Sequence, residues 1–97
     1  MLTPQQKKFL SEKAHSLEPV VLIGKNGLTP AVLKEIDVAL KSHELVKIRF
    51  QGGEKEEREE ALGQICSELS AHPVKHIGKM LVVYRAAEKP KIVLPRA

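Results

Sequence analysis

The stretch Pro19-Val-Val-Leu-Ile-Gly-Lys-Asn-Gly-Leu-Thr-Pro30 contains the signals of a strand, a tight loop and a helix start in immediate succession. The apolar run Val20–Ile23 is mostly β-branched and lies between a proline and a glycine, which is typical of a short buried strand. Thr29 is a capping residue and Pro30 suits the first helical position, so a helix is expected to begin there. The two glycines of the stretch therefore lie in a loop between a strand and a helix.

A second helix start stands near the N-terminus, where Thr3 and Gln6 have the spacing of a capping box and Pro4 follows the capping residue. We expect this first helix to span residues 4–15. The helix that starts at position 30 is expected to continue to about residue 42, because its apolar residues recur at helical spacing and give it one buried face. Those residues are Val32, Leu33, Ile36, Ala39 and Leu40.

Beyond the second helix, the sequence predicts three further strands and a third helix. Residues 45–50 alternate apolar and charged positions, which indicates a strand with one apolar face and one basic face. A glycine pair then precedes a predicted helix over residues 54–70. Residues 73–77 and 80–85 flank Gly78-Lys79, which suits the type II′ turn of a β-hairpin.

The element order is thus helix, strand, helix, strand, helix, strand, strand, which indicates an α/β protein. Strand-helix-strand units favour parallel neighbours and the closing hairpin adds an antiparallel pair, so we predict a mixed four-stranded sheet packed with helices. A chain of 97 residues suffices for one core, so residues 1–97 are predicted to form a single domain. The run Ile92-Val93-Leu94 should pack on this core or extend a sheet edge.

Charge is distributed unevenly along the chain, whose formal net charge is +4. Residues 1–53 carry a net +3, residues 54–70 carry −4, and residues 71–97 carry +5. The glutamates of the acidic segment fall in the first turns of the third helix, where the helix dipole stabilises anions. A chain that gathers its acids in one segment can present a basic surface elsewhere to a polyanion, although a mixed solvated surface explains the charge equally well.

The loop Gly24-Lys25-Asn26-Gly27 has the chemistry of an anion site. Its peptide N–H groups, the start of the following helix and the lysine together suit a phosphate, and KH domains use such a GxxG loop to hold a nucleic-acid backbone. On spacing alone, a plain Asn-Gly turn is the commoner explanation. The loop lacks the third glycine of a dinucleotide fingerprint and the Gly-Lys-Ser/Thr ending of a Walker A loop, so neither NAD nor ATP binding is predicted.

Residues that could support catalysis or bind a metal are scattered. His72 and His76 flank a proline-containing extended segment in which about 13 Å separates residues four apart, too far for one ion. His15 and His43 fall near helix C-termini, where an imidazole suits the local dipole. Cys66 lies on an apolar helical stripe and is expected to be a small core residue. We therefore predict no enzyme activity, no metal, no cofactor and no small-molecule substrate.

Aromatic residues are too few for RNA recognition by ring stacking, since the chain has only Phe9, Phe50 and Tyr84. Its longest apolar runs are far shorter than the roughly 20 residues that span a bilayer, so no membrane association is expected. The N-terminal residues lack the pattern of a secretory signal, and the single cysteine is compatible with a reducing compartment. A cytoplasmic location is expected.

The sequence resembles the CRM domain family, named for chloroplast RNA splicing and ribosome maturation, in its bacterial stand-alone YhbY-like form. The resemblance extends from Leu2 to about Arg96. It implies a fold similar to the C-terminal domain of translation initiation factor three, RNA binding through the GxxG loop, and association with precursors of the large ribosomal subunit. The matching segments are Leu2-Thr-Pro-Gln-Gln-Lys7, Pro19 to Thr29, His43-Glu-Leu-Val-Lys47, Ile77-Gly-Lys79, Leu81-Val-Val-Tyr-Arg85 and Ile92-Val-Leu-Pro-Arg96.

Carried over to this sequence, the resemblance assigns RNA contact to the loop residues Gly24, Lys25, Asn26 and Gly27. Charge and predicted position add further basic residues to this surface, namely Lys7, Lys47, Arg49, Lys79 and Arg85. Lys79 and Arg85 are the preferred pair. Each could instead be a solvated side chain without a partner, and for Lys7 that is the better interpretation. The competing hypothesis is a protein-interaction module that docks on a ribosomal protein or an assembly factor.

Overall fold

The computed structural model of the chain describes residues 2–96 and contains the seven elements in the predicted order. Predicted and observed ends agree to within about two residues, as expected for terminal turns that fray. The elements are α1 (Pro4–His15), β1 (Val21–Ile23), α2 (Pro30–His43), β2 (Leu45–Phe50), α3 (Lys55–Leu69), β3 (His72–Ile77) and β4 (Met80–Tyr84).

The helix starts form as their sequences predict. At α1, the Thr3 N–H donates to Gln6 Oε1 and the Gln6 N–H donates to Thr3 Oγ1, both at 3.1 Å, which completes the capping box. At α2, the Val32 N–H donates to Thr29 Oγ1 at 3.2 Å. These bonds fix where the chain leaves its loops, and the second one fixes the position of the GxxG loop in front of α2.

The four strands form one mixed sheet in the order β1-β2-β4-β3. The β1 and β2 strands are parallel, whereas β4 runs antiparallel to both β2 and β3. β4 lies between two other strands and contacts α1 on one face and α3 on the other, so Leu81 to Tyr84 are all buried. This agrees with the predicted mixed sheet and with the apolar character of that strand on both faces.

The helices cover the two sheet faces unequally. On one face, α2 and α3 enclose a core around Ile36, Ile48 and Ile65. On the other face, α1 encloses a smaller core around Leu10 and Tyr84. We call the sheet face that α1 covers the α1 face. α1 contacts β2, β4 and β3, so β1 at the edge of the sheet is left without a helix on this face.

The C-terminal segment, residues 86–96, completes the smaller core without adding a strand within the described part of the chain. Ile92 and Leu94 pack on that core, whereas the Val93 side chain is 81% exposed. Of the two outcomes considered for this run, packing on the core is therefore the one observed. Gln6 fastens the segment to α1, since its Nε2 donates to the Pro95 carbonyl at 3.1 Å.

Glu44 anchors the same segment and is the one buried charged side chain in residues 2–96. Its carboxylate accepts the N–H groups of Ala87, Lys91 and Ile92 at 2.9, 2.7 and 3.1 Å. Burial raises the pKa of this carboxyl, but the three N–H donors and the Lys91 charge outweigh burial, so the pKa lies below its usual value. Glu44 therefore binds the C-terminal segment as an anion.

Candidate functional site

The GxxG loop is an exposed β-turn between β1 and α2. The Gly27 N–H donates to the Gly24 carbonyl at 3.0 Å, which closes the turn and leaves Lys25 and Asn26 exposed at its tip. Gly27 has a φ of +71°, the left-handed region that favours glycine. The Gly27 amide is thus engaged within the turn, so the donors that remain for a ligand are those at the tip.

Two other connections lie beside the loop at the same end of the sheet. The Gln51 N–H donates to the Ile23 carbonyl at 2.8 Å, which places the β2–α3 connection next to the loop. The Phe50 N–H donates to the Lys79 carbonyl at 2.7 Å, which places the β3–β4 turn next to that connection. In this turn Gly78 has a φ of +54° whereas Lys79 does not have a positive φ, as a type II′ turn requires.

Three of the predicted basic residues meet at this end of the sheet. Lys25 lies at the loop tip, Lys79 lies in the neighbouring hairpin turn, and Arg49 lies on β2 one residue before the strand ends. All three are exposed. The register pairs Arg49 with Leu22 on one side and Met80 on the other, so its side chain projects from the α1 face. We call Lys25, Arg49 and Lys79 together the basic triad.

Lys47 projects from the same face but has a structural partner. Its Nζ donates to the carbonyl oxygens of Ala14, in the last turn of α1, and of Leu17, just beyond that turn, at 3.4 and 3.3 Å. An ammonium at this position suits the negative end of the helix dipole. Lys47 is half-buried and therefore lies at the margin of the surface around the basic triad.

Arg85 lies at the opposite end of β4 from Lys79, so the preferred pair of the sequence prediction is not brought together. Its Nη1 donates to Asp37 Oδ1 at 2.7 Å and to the Leu69 carbonyl at 2.9 Å, and its Nη2 donates to the Asp37 carbonyl at 3.2 Å. The guanidinium thus joins α2 to the end of α3. The sequence contains no signal of this role, because the partners are 48 and 16 residues away.

Lys75 is a basic residue that the sequence analysis did not select. The register of β3 shifts between Pro73 and Lys75, so Lys75 pairs with Val82 and its side chain lies on the α1 face. It lines a small cavity there with His15 and Lys47. Strict alternation along β3 cannot predict this side, because a bulge inserts one residue and reverses the alternation after it.

The same bulge separates the two histidines of β3. His72 pairs with Tyr84 on the α1 face, and their ring centroids are 6.5 Å apart. His76 pairs with Leu81 and faces α3, where its Nε2 accepts Arg58 Nε at 3.2 Å and its Nδ1 lies 3.8 Å from Glu59 Oε1. The two rings therefore lie on opposite faces, which agrees with the expectation that they do not share a metal ion.

The helix that follows the GxxG loop begins without acidic residues. The first turn of α2, which follows the loop, contains no acidic residue, whereas the first turn of α3 contains Glu56 and Glu57. Because α3 packs on the face opposite α1, its acidic turn lies across the sheet from the Arg49 side chain. The side of the molecule that bears the basic triad can therefore attract an anion.

Cys66 and the three aromatic residues, the other side chains that could bind or react, pack in or against the two cores. Cys66 packs on the larger core, and burial raises the pKa of its thiol to about 11. Phe50 and Tyr84 are buried and offer no open stacking surface, and Phe9 is half-buried against the smaller core. Within residues 2–96, no three His, Cys, Asp or Glu side chains are grouped to hold a metal, and no helix is long and apolar enough to cross a membrane.

Comparison with known proteins gives close relatives over nearly the whole chain. An RNA-binding protein of Haemophilus influenzae is 46% identical over 95 residues, covering 98% of this chain and 96% of the relative. A Pseudomonas aeruginosa protein named "Probable RNA-binding protein" is 40% identical, covering 92% of this chain and 86% of the relative. A similarly named Bacillus subtilis protein is 33% identical, covering 98% of this chain and all of the relative.

A solved structure and a family profile give the same assignment. The solution structure of a hypothetical Staphylococcus aureus protein superposes with a TM-score of 0.86 at 33% identity, covering 98% of this chain and all of that one. The profile of the CRS1 / YhbY (CRM) domain matches residues 2–85, which include all the strands and helices. The chain belongs to the CRS1 / YhbY (CRM) domain family.

Proposed function

We propose that this protein binds RNA through the GxxG loop and the basic triad. The observation that supports the proposal most strongly is the meeting of the exposed loop tip with Arg49 and Lys79 at one end of the sheet. Phosphate groups are recognised by lysine and arginine side chains and by backbone N–H groups, and the basic triad and the loop tip present both kinds of group at this end. The names of three relatives, one called "RNA-binding protein" and two called "Probable RNA-binding protein", support the same class of ligand.

The mode of recognition that we propose is contact with the phosphate backbone. The GxxG turn has little side-chain bulk, since both glycines lack a Cβ and a Cβ built at either would meet no atom within 4 Å. A nucleotide chain can therefore approach the backbone at the turn closely. Such contacts hold the RNA in place but carry no information about its sequence.

We further propose that the RNA is ribosomal and that the protein acts in the cytoplasm on precursors of the large ribosomal subunit. This finer assignment is supported by the motifs through which the sequence resembles its family. The competing function is docking on a ribosomal protein or an assembly factor. The basic triad favours RNA over such a partner, because its three charges are exposed and the sheet separates the Arg49 side chain from the acidic turn of α3.

A salt series with fragments of large-subunit ribosomal RNA tests the proposal. With about four phosphate contacts to single-stranded RNA, a plot of log K against log salt concentration should have a slope near −3, because each neutralised phosphate releases counterions. Lys25→Glu should weaken binding and leave the melting temperature nearly unchanged. Lys8→Glu makes the same charge change on an exposed position of α1 near the other end of the sheet and should bind nearly as the wild type does.

The outcomes separate the two functions. A flat salt dependence would favour the protein-docking function. Equal loss of affinity in Lys25→Glu and Lys8→Glu would indicate a general effect of net charge, and unchanged binding in Lys25→Glu would remove the loop from the site. Cross-linking in cells, followed by sequencing of the attached RNA, identifies the RNA and thereby tests the assignment to the large subunit.

A further inference from the structure

A strip of the α1 face beside the GxxG loop has no covering element. The strand register sets Leu22, Arg49, Met80 and Ile77 side by side, one from each strand. The Leu22 and Ile77 side chains are 54% and 56% exposed, Arg49 is exposed and Met80 is half-buried. Since neighbouring strands lie about 4.8 Å apart, the strip is about 14 Å long. We call these four residues the sheet strip.

We infer that the sheet strip receives unpaired nucleobases of the RNA whose phosphates bind at the loop. The inference rests on the proposed function and adds a second contact to it, with the base rather than the backbone. Exposed apolar side chains that stand singly need no explanation, but several in one row beside a charged site indicate a surface that binds something.

The charges around the strip favour a nucleotide. Lys25 and Lys79 lie at its loop side, and Lys47 and Lys75 lie on the opposite side, in the next row of the sheet. The cavity between that row and the end of α1 is lined by these two lysines and His15 and has no acidic residue in its lining. Three apolar side chains and the flat guanidinium of Arg49, flanked by two sets of cations, match a nucleotide chain, in which each base stands between anionic phosphates.

The side chains of the strip determine how a base would be held. None of the four strip residues is aromatic, so the bases would lie on the aliphatic surface of Leu22, Met80 and Ile77. The planar guanidinium of Arg49, in the middle of the row, can stack on the face of a base. None of these contacts reads the hydrogen-bonding edge of a base. We therefore expect the strip to require a base but to show little preference among the four.

Abasic RNA separates base contact from backbone contact. We would compare a 12-nucleotide single-stranded RNA with an otherwise identical RNA that carries three consecutive abasic sites at its centre, which keeps every phosphate. Wild-type protein should bind the complete RNA about fivefold more tightly, near the lower end of the range for base stacking because the surface is aliphatic. In the double variant Leu22→Gln, Ile77→Thr, this ratio should fall to near one, whereas the affinity for abasic RNA should stay the same.

A matched control variant is available on the other side of the molecule. Val38 on α2 is also 54% exposed, so Val38→Thr alters an equally exposed apolar residue away from the strip and should keep the wild-type ratio. Equal binding of the two RNAs by the wild-type protein would overturn the base contact and leave RNA binding at the loop intact. An unchanged ratio in the double variant would also overturn it. Failure to bind either RNA would overturn the proposed function itself.

Discussion

Arg85 Nη1 lies 2.7 Å from Asp37 Oδ1, an ion pair that fastens the end of β4 to α2. The same guanidinium donates to the carbonyl groups of Leu69 and Asp37, so it satisfies three acceptors at once. Both side chains are mostly shielded from solvent, at 21% and 29% exposure. We predict that Arg85→Ala lowers the free energy of unfolding by about 1 to 3 kcal/mol, the usual range for hydrogen bonds to charged groups. Urea unfolding measures this loss.

The RNA affinity of the folded Arg85→Ala protein should remain within about twofold of the wild type, a change of less than about 0.5 kcal/mol. Arg85→Lys should recover little of the stability, because an ammonium cannot reproduce the planar fork of three bonds. A large loss of RNA affinity in a fully folded Arg85→Ala protein would show that Arg85 contacts RNA. It would contradict a purely structural role in joining β4 to α2 and α3.

The carboxylate of Glu44 supports a second prediction about stability. In Glu44→Gln, one of the two oxygens becomes an NH₂ group that faces a backbone N–H of the C-terminal segment. Loss of charged hydrogen bonds at a buried position should cost about 2 to 3 kcal/mol. Hydrogen exchange should show the amides of Ala87, Lys91 and Ile92 exchanging faster. Glu88→Gln, which changes an exposed glutamate in the same segment, is the control and should leave these amides protected.

The two lowered carboxyl pKa values determine how stability depends on acidity. Arg85 holds the pKa of Asp37 below 3.8, and the backbone donors hold the pKa of Glu44 below 4.5. Each carboxylate binds protons more weakly in the folded chain, so its contribution is present above these values and is lost as pH falls through the folded pKa. Unfolding measured from about pH 6 to pH 3 should show this loss. A Glu44→Gln protein with the full wild-type pH dependence would contradict the part assigned to Glu44.

The thiol of Cys66 should react slowly with alkylating reagents. Burial raises its pKa to about 11, so little thiolate is present at pH 8 compared with a free cysteine of pKa near 8.5. The higher nucleophilicity of a more basic thiolate offsets part of this difference. We expect iodoacetamide to modify the folded protein at least about tenfold more slowly than the same protein in urea. Equal rates in the two states would show that the thiol is not shielded.

Features set by neighbouring residues could be predicted from the sequence, and features set by distant partners could not. The Thr3–Gln6 capping box, the alternation of β2 and the Gly78-Lys79 turn depend on contacts within a few residues, and all three are found as predicted. The roles of Arg85 and Glu44 depend on acceptors and donors 16 to 48 residues away. The bulge in β3 likewise prevents the sequence pattern from predicting the sheet face on which Lys75 lies.

The same distinction between neighbouring and distant residues applies to the candidate site. The GxxG loop could be located because a strand end and a helix start bound it in the sequence. That Arg49 and Lys79 join it, whereas Arg85 does not, follows from the strand order β1-β2-β4-β3, which sets the β3–β4 turn beside the end of β2. A charge pattern along the chain contains no information about which end of a strand meets which loop.

The two glycines of the loop should respond differently to alanine. Gly24 does not have a positive φ, and a Cβ there would meet no atom within 4 Å, so Gly24→Ala should leave stability within about 0.5 kcal/mol of the wild type. Gly27 has a φ of +71°, so Gly27→Ala should cost about 1 to 2 kcal/mol through strain in the left-handed region. Thermal unfolding of both variants measures this difference.

RNA affinity should respond to Gly24→Ala even though stability does not. If a phosphate approaches the backbone at the turn, the new methyl group of Gly24→Ala stands in open space where the ligand would lie, and the folded protein should lose affinity about fivefold or more, equivalent to at least about 1 kcal/mol. Ser42→Ala, an exposed change near the end of α2 and away from the loop, should bind as the wild type does. Unaltered affinity in Gly24→Ala would mean that the RNA is held by the basic side chains alone, since close approach to the turn is the one contact that this substitution removes.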